Sequence, residues 1–410
     1  MNAVDRALFS QPASMAEASS AAAARRDFSV HLHRSLASAD SVWRRLEREG
    51  VASAYQRFDW VGAILQHLAS QESADLLLAE VRDAATGQPL MLWPMCRLRR
   101  RGHRVVAWVD FGVCDYIAPL MAQNLTLSAA EADRVWAAIL TALPAADLVR
   151  IDAIPATVSG QPNPLALLRR TTASAHITSG MAIHGPAETL LQRVCKASVV
   201  REIGMKGRRL ERRGRVSFVV AETAAEVGAL FDVLLEQRLD RFRKLGRFDL
   251  LTQPSAVAFY RQTALDGLTG GAARMIGLRV DDVWVATCYG LVHGGAFHLT
   301  LLSIADESWR NCSPGFLLVC RAMTWAREQG LGYFDFTIGE HGYKAKIGGQ
   351  SQPLMSVYQD LTLKGRLVRQ MIEGLRDGKA WLVARHPALF ERLRNLRQAQ
   401  RRGVSGLRRS

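Results

Sequence analysis

The same order of secondary-structure signals runs twice along this chain, and a repeat of that kind restricts the fold more than any single motif does. In the first half, alternating apolar residues mark strands over 75–81, 90–96 and 105–110, joined by a turn at 83–87 and an Arg-rich turn at 99–104. A loop ending at Pro119 leads to a helix over about 129–143, and a short strand, 148–151, ends at Asp152. The second half repeats the order. Strands over 275–280, 283–292 and 296–303 are joined by the turn pairs Asp281-Asp282 and Gly294-Gly295. A loop from Asp306 to Pro314, a helix over 316–329 stopped at Gly330, and a short strand over 333–337 complete it. The match lies in the pattern and hardly in residue identity. It predicts an α/β (α+β) protein of two tandem modules, each a mixed, mostly antiparallel sheet flanked by helices.

The length of 410 residues, 49% of them hydrophobic, suits two such cores plus tails. The expected division is an Ala/Ser-rich flexible tail over 1–26, a first module over 27–180, a second over 181–360 and a basic helical tail over 361–410. The boundary is set where Gly, Pro and polar residues gather at 179–186. Phe28, Val30 and Leu32 read as an entry strand whose opposite, polar face carries His31 and His33. Two helices broken near Gly50 follow, and helices over 190–213 and 224–243 lie between the repeats. With no long apolar run and no secretory-type leader in residues 1–24, the expected location is the cytoplasm, including the inner face of the membrane. Six scattered cysteines without CxxC spacing, and no HExxH, predict free buried thiols and no metal. The net charge of +15 is concentrated: residues 196–215 hold 8 Lys/Arg against 2 Asp/Glu, and residues 361–410 hold 13 against 3. Such blocks attract anions, whether cofactor phosphates, RNA or an acidic membrane.

Two tracts concentrate chemistry. Arg310-Asn311-Cys312-Ser313-Pro314-Gly315 stands where a loop opens a helix, and free backbone N–H groups there suit a pyrophosphate. In that setting Arg310 pairs with phosphate, Ser313 caps the helix, Pro314 fills its first turn and Gly315 lets backbone approach a ligand. The second tract, 333–344, ends an apolar strand with Asp335, Glu340, His341, Tyr343 and Lys344 within ten residues. Asp335 alternates with Phe334 and Phe336 and reads equally as a buried acid paired with Lys344 or Arg310. Cys312 is an alternative nucleophile without a neighbouring His, while His293 and His298 read as surface or strand residues. The segment 238–248 interleaves Arg/Lys with Phe, either to grip an anionic or sugar acceptor or as an amphipathic helix end.

The run SPGFLLVCRAMTWAREQGLGYFDFTIGEHGYKAKIGG resembles the BioF2-like (CelD-type) acetyltransferase family, with its Ser-Pro-Gly helix start and its FDF strand followed by a Tyr-Lys pair. RRLERRGRVSF, LLEQRLDRFRKLGRF and, in the first half, GVCDYIAPL resemble it too. The resemblance implies a GNAT fold, a kinship with the tandem FemAB transferases, and an association with cellulose and other exopolysaccharide synthesis. It implies an acyl-CoA donor, acetyl-CoA for instance, and an acceptor that is a glycan precursor, a polysaccharide or an amine. The resemblance settles no catalytic residue; direct acyl transfer needs a base and an acid, and the expected assignment is Glu340 or Asp335 as base, Tyr343 as acid toward the leaving thiolate, and Arg310, Ser313, Gly315 and Lys344 at the donor, although Ser313 stands where the usual phosphate loop has glycine. Two rival readings follow: an aminoacyl-tRNA donor held by the basic blocks, or a non-catalytic scaffold docked on anionic membrane through 361–410, with Trp381, Leu382 and Leu389 on one side.

Overall fold

The computed structural model describes residues 26–339 and 342–385, so Glu340, His341 and Leu389 lie outside the described residues, as do the side chains of Trp381 and Leu382. The expected class holds: a mixed, mostly antiparallel sheet of 14 strands carries helices on its faces. The first half supplies β1 (Phe28–His33), α1 (Leu36–Glu49), α2 (Phe58–His67), β2 (Asp75–Asp83), β3 (Pro89–Arg100), β4 (His103–Trp108), α3 (Ala129–Ala142), β5 (Leu148–Ile154) and β6 (Thr171–Ala182). The second supplies α4 (Ala197–Glu211), β7 (Val216–Val220), α5 (Ala224–Lys244), α6 (Pro254–Asp266), β8 (Ala273–Val280), β9 (Val283–His293), β10 (Ala296–Ile304), α7 (Pro314–Glu328), β11 (Tyr333–Ile338), α8 (Gly342–Ile347), β12 (Gln350–Asp360) and α9 (Leu363–Arg385). Local chemistry starts several helices: Ser35, Ser128 and Thr223 close capping boxes at α1, α3 and α5. The helix expected over 190–213 is interrupted instead, because Cys195 and Lys196 are extended and bury the Cys195 thiol against the Ile347 carbonyl. His33 is turned inward, away from the polar face expected of it, and meets the buried Glu80 at 2.9 Å.

The strands run in the order β1-β2-β3-β4-β5-β12-β6-β11-β10-β9-β8-β7. Each half therefore builds an antiparallel meander followed by one parallel pair, β4 with β5 and β10 with β11. The last strand of each half is then seated in the other half's sheet. β6 pairs antiparallel with β11, and β12 pairs antiparallel with β5, while β6 and β12 lie side by side at the centre. A division after residue 180 thus falls near the end of a strand embedded in the second half's sheet.

The core is shared in the same way. Leu230, Phe231, Leu234, Phe259 and Tyr260 of α5 and α6 belong to one apolar cluster with Trp43, Trp60 and Trp93 of the first half. Trp60 and Phe259 meet edge to face at 4.8 Å. A second cluster, with Phe297, Phe334, Phe336 and the inner face of α7, fills the far side of the second half's sheet.

Candidate active site at the seam between the halves

Parallel strands that stay paired leave no room between them; these do not stay paired. β10 and β11 are in register only at Ala296 with Tyr333, Phe297 with Phe334 and His298 with Asp335. Beyond His298 and Asp335 they part, and β10 runs on to Ile304 without β11 beside it. The cleft opens at the carboxyl ends of adjacent parallel strands, where α/β sheets hold ligands. The first half's pair parts in the same manner, but its last registered residues are the apolar Val106 and Val149.

At the apex of the second cleft the residues are polar and buried. Asp335 accepts hydrogen bonds from the Tyr116 hydroxyl at 2.7 Å and the Thr337 N–H at 2.7 Å, and it pairs with His298 Nδ1 at 3.1 Å. A carboxylate only accepts, so Nδ1 carries the proton and Nε2 is left as the basic nitrogen. Tyr116 also bonds Thr178 of β6, and the Tyr55 hydroxyl donates to Asp115 at 2.9 Å. Burial pushes the Asp115 carboxyl up to about 6, an effect opposed by the Tyr55 bond. Asp335 therefore pairs with neither Lys344 nor Arg310; three donors from both halves occupy it. Thr337, next on the strand, sits at φ 57°, a left-handed conformation that a β-branched residue adopts only under constraint.

Lys344 also departs from its expected place at a phosphate. Its residue is 4% exposed, and its ammonium turns inward to donate to the carbonyls of Thr337 and Ile338, at 3.0 and 3.3 Å. Burial pushes it down to about 8 against its ordinary 10.5, partly offset by Asp115 and Asp335. Between about pH 8 and 10.5 the unfolded chain then binds the proton that the folded chain has released, so this group makes stability rise with pH. Urea unfolding of the parent and Lys344→Met across that range should show their stability difference moving in the parent's favour as pH increases; a flat difference excludes a buried neutral lysine. Tyr343 is half-buried, edge-on to Phe336 at 6.4 Å, and burial pushes its hydroxyl up to about 12, so it holds its proton at neutral pH.

The open end of the cleft is formed by a 3-10 turn, Glu307–Cys312, and the start of α7. Ser313 does not cap the helix through its side chain: its backbone is left-handed, at φ 50°, and its hydroxyl turns back to the Arg310 carbonyl. Gly315 owes its identity to packing, since a Cβ there would lie 2.5 Å from Ile304 Cγ2. Gly315→Ala should cost about 1–3 kcal/mol by overpacking, read as a lowered thermal midpoint. Cys312 is buried in the second core, out of reach as an open nucleophile. Arg310 is 80% exposed and pairs with Glu307 at 3.3 Å. The basic block at 196–215 is α4 and its end, and it packs on this turn: Lys206 donates to the Asn311 carbonyl at 2.9 Å, and Arg213 to that of Ser308 at 2.6 Å while covering the Trp309 ring at 3.7 Å. Three cations from two separate tracts thus surround one helix start.

Composition and spacing point to none of Tyr55, Asp115, Tyr116 and Thr178, and His298, read from sequence as a surface or strand residue, is a strand residue that pairs with Asp335. Asp115 and Tyr116 are the centre of GVCDYIAPL, which drew notice only through a resemblance. Among the described residues, no group of three or more His, Cys, Asp or Glu is arranged to hold a metal, and no helix is long and apolar enough to cross a membrane.

Residues 197–345, from α4 into α8, match the family model described as the acetyltransferase (GNAT) domain. No curated protein sequence matches the chain. Among solved structures, FemX is similar over 84% of this chain and 99% of its own, with a TM-score of 0.54 at 10% identity, a likeness of fold that runs through both halves. The C-terminal domain of a putative lysylphosphatidylglycerol synthetase from Agrobacterium fabrum aligns over 83% of this chain and 97% of its own, with a TM-score of 0.48 at 14% identity. A tandem GNAT protein from the clavulanic acid biosynthesis pathway aligns over 82% and 98%, with a TM-score of 0.44 at 11% identity.

Proposed function

We propose that the chain transfers an acyl group from acyl-CoA, acetyl-CoA in the simplest case, to a hydroxyl or amine of a glycan precursor, polysaccharide or amine acceptor, as in the exopolysaccharide role of the CelD-type family. One observation carries this reading: β10 and β11 part directly after the His298–Asp335 pair, and a cation-lined helix start stands at the open end. The residues suit a diphosphate donor. Arg310, Lys206 and Arg213 supply positive charge beside the amides that open α7. In the transfer, the acceptor's O or N forms a bond to the acyl carbon as the C–S bond breaks. His298 Nε2 takes the acceptor's proton, Asp335 orients the ring, and Tyr343 gives a proton to the departing thiolate. Asp335 is thus a positioning residue in this reading. Glu340, outside the described residues, is the alternative base.

Calorimetry with CoA, acetyl-CoA and longer acyl-CoAs tests the donor. Binding is expected, and Lys206→Ala or Arg310→Ala should each weaken it about tenfold through loss of a charge-assisted contact. No binding of any of these thioesters or of CoA sinks the proposal. A second reading, an aminoacyl-tRNA donor, is favoured by the further exposed Arg201, Arg208, Arg209 and Arg212 along α4. It predicts binding that requires tRNA and falls steeply with salt, and tight binding of CoA alone excludes it.

A further inference from the structure

The turn that joins α5 to α6 holds two large apolar side chains in solvent: Leu245 is 49% exposed and Phe248 is 61% exposed. The turn is nevertheless firmly built. Leu245 N–H donates to the Arg241 carbonyl, Gly246 N–H to Arg243 and Arg247 N–H to Phe242, at 2.9–3.1 Å. The buried Asp249 closes it, capping Leu251 and pairing with Arg238 at 2.7 Å, and Arg238 lies over the Phe242 ring. The exposure is therefore the ordered state of this turn, unlike a frayed end. Arg241, Arg243, Lys244 and Arg247, all exposed, flank the two side chains in sequence, and Asp240 pairs with Arg243 and Lys244.

This surface adjoins the open end of the cleft. Arg213, at the end of α4, donates to the Ser308 carbonyl of the 3-10 turn at 2.6 Å, and the charge of Lys244, at the end of α5, helps Ser308 and Arg213 to hold Asp306 low. On its other side the turn runs into Leu250, whose Cδ2 packs over Gly112, three residues from Asp115. An apolar tip held by hydrogen bonds and accompanied by four exposed cations matches the two layers of an anionic bilayer, acyl chains beneath phosphates. Single-stranded nucleic acid would use the cations and stack on Phe248, but it offers an aliphatic Leu245 nothing.

We propose that the turn Leu245–Phe248 and its basic frame dock the protein on an anionic lipid bilayer. Leu245 and Phe248 enter the headgroup layer, and Arg241, Arg243, Lys244 and Arg247 meet lipid phosphates. The cleft then opens beside the bilayer surface, where an acceptor carried on a lipid would be presented. The docking surface stands apart from the transfer chemistry, and its test needs no turnover. In the full chain, Phe248→Cys labelled with an environment-sensitive fluorophore is mixed with vesicles of phosphatidylcholine, with or without phosphatidylglycerol, beside an identically treated parent protein as labelling control. A blue shift is expected with the anionic vesicles only. In flotation, Leu245→Ser/Phe248→Ser should bind anionic vesicles at least tenfold more weakly with an unchanged thermal midpoint, both positions being exposed. Two results overturn the proposal. One is vesicle binding with an unshifted label and an unaffected double variant, which assigns binding to α9, where Leu363, Leu367 and Met371 are exposed, or to the chain beyond it. The other is retention of vesicle binding by the double variant with loss of single-stranded RNA binding.

Discussion

His298→Ala should lower turnover about 10²–10⁴-fold while leaving donor affinity nearly unchanged, because it removes a proton acceptor at the cleft apex and none of the cations at its open end. Asp335→Asn separates orientation from acidity. An amide keeps the shape of the site, but its NH₂ or carbonyl faces Nδ1 in place of a pure acceptor, so the ring can be held in either tautomer. The expected result is a smaller loss in kcat, with KM for the donor retained. Single-turnover assays on a thioester, with calorimetry in parallel, read both quantities. If His298→Ala turns over as fast as the parent, the base lies elsewhere, and Glu340 becomes the residue to test.

The second large effect concerns folding. A chain cut between residues 180 and 181 should give two fragments, neither of which unfolds cooperatively alone. Fragment 27–180 keeps β6 without β11 or β12 to pair with, and it leaves the free edge of β5 bare where β12 belongs. It also loses α5 and α6, whose Phe231 and Phe259 complete its core. Fragment 181–360 has β11 without β6. Circular dichroism against urea should show a broad, weak transition for each fragment and a sharp one after mixing. A sharp transition from either fragment alone would show that the exchanged strands are dispensable.

The repeat of meander, loop, helix and short strand was legible because those strands carry strong apolar alternation and the turns between them are polar or Gly-containing, Asp-Asp and Gly-Gly pairs in the second half. The two exchanged strands were not. TTASAHITSGMA and QSQPLMSVYQD are polar for most of their length, and the burial of each rises only over a short stretch. Their pairing is decided by partners far away in sequence, which no local window contains. The site followed the same division. The tract 333–344 announced itself by clustering titratable groups, whereas Asp115, Tyr116 and His298 acquire meaning only when the sheet places them around Asp335. Lys344 donates to a backbone carbonyl and Ser313 leaves its helix without a side-chain cap, because sequence gives position and leaves side-chain direction open.

The exchange of strands also bears on how the protein is made. Asp152 of β5 and Tyr358 of β12, joined by a hydrogen bond of 2.8 Å, are 206 residues apart in sequence. A chain emerging from the ribosome therefore cannot complete the sheet until β12, residues 350–360, has been synthesised. Until then the edge of β5 is an unpaired template, and contacts of such separation form slowly. The bare edge invites capture of a strand from a neighbouring nascent chain, and a dimer in which two molecules trade β12 would satisfy the same hydrogen bonds. Slow translation between β11 and β12 should therefore raise the yield of such intertwined dimers.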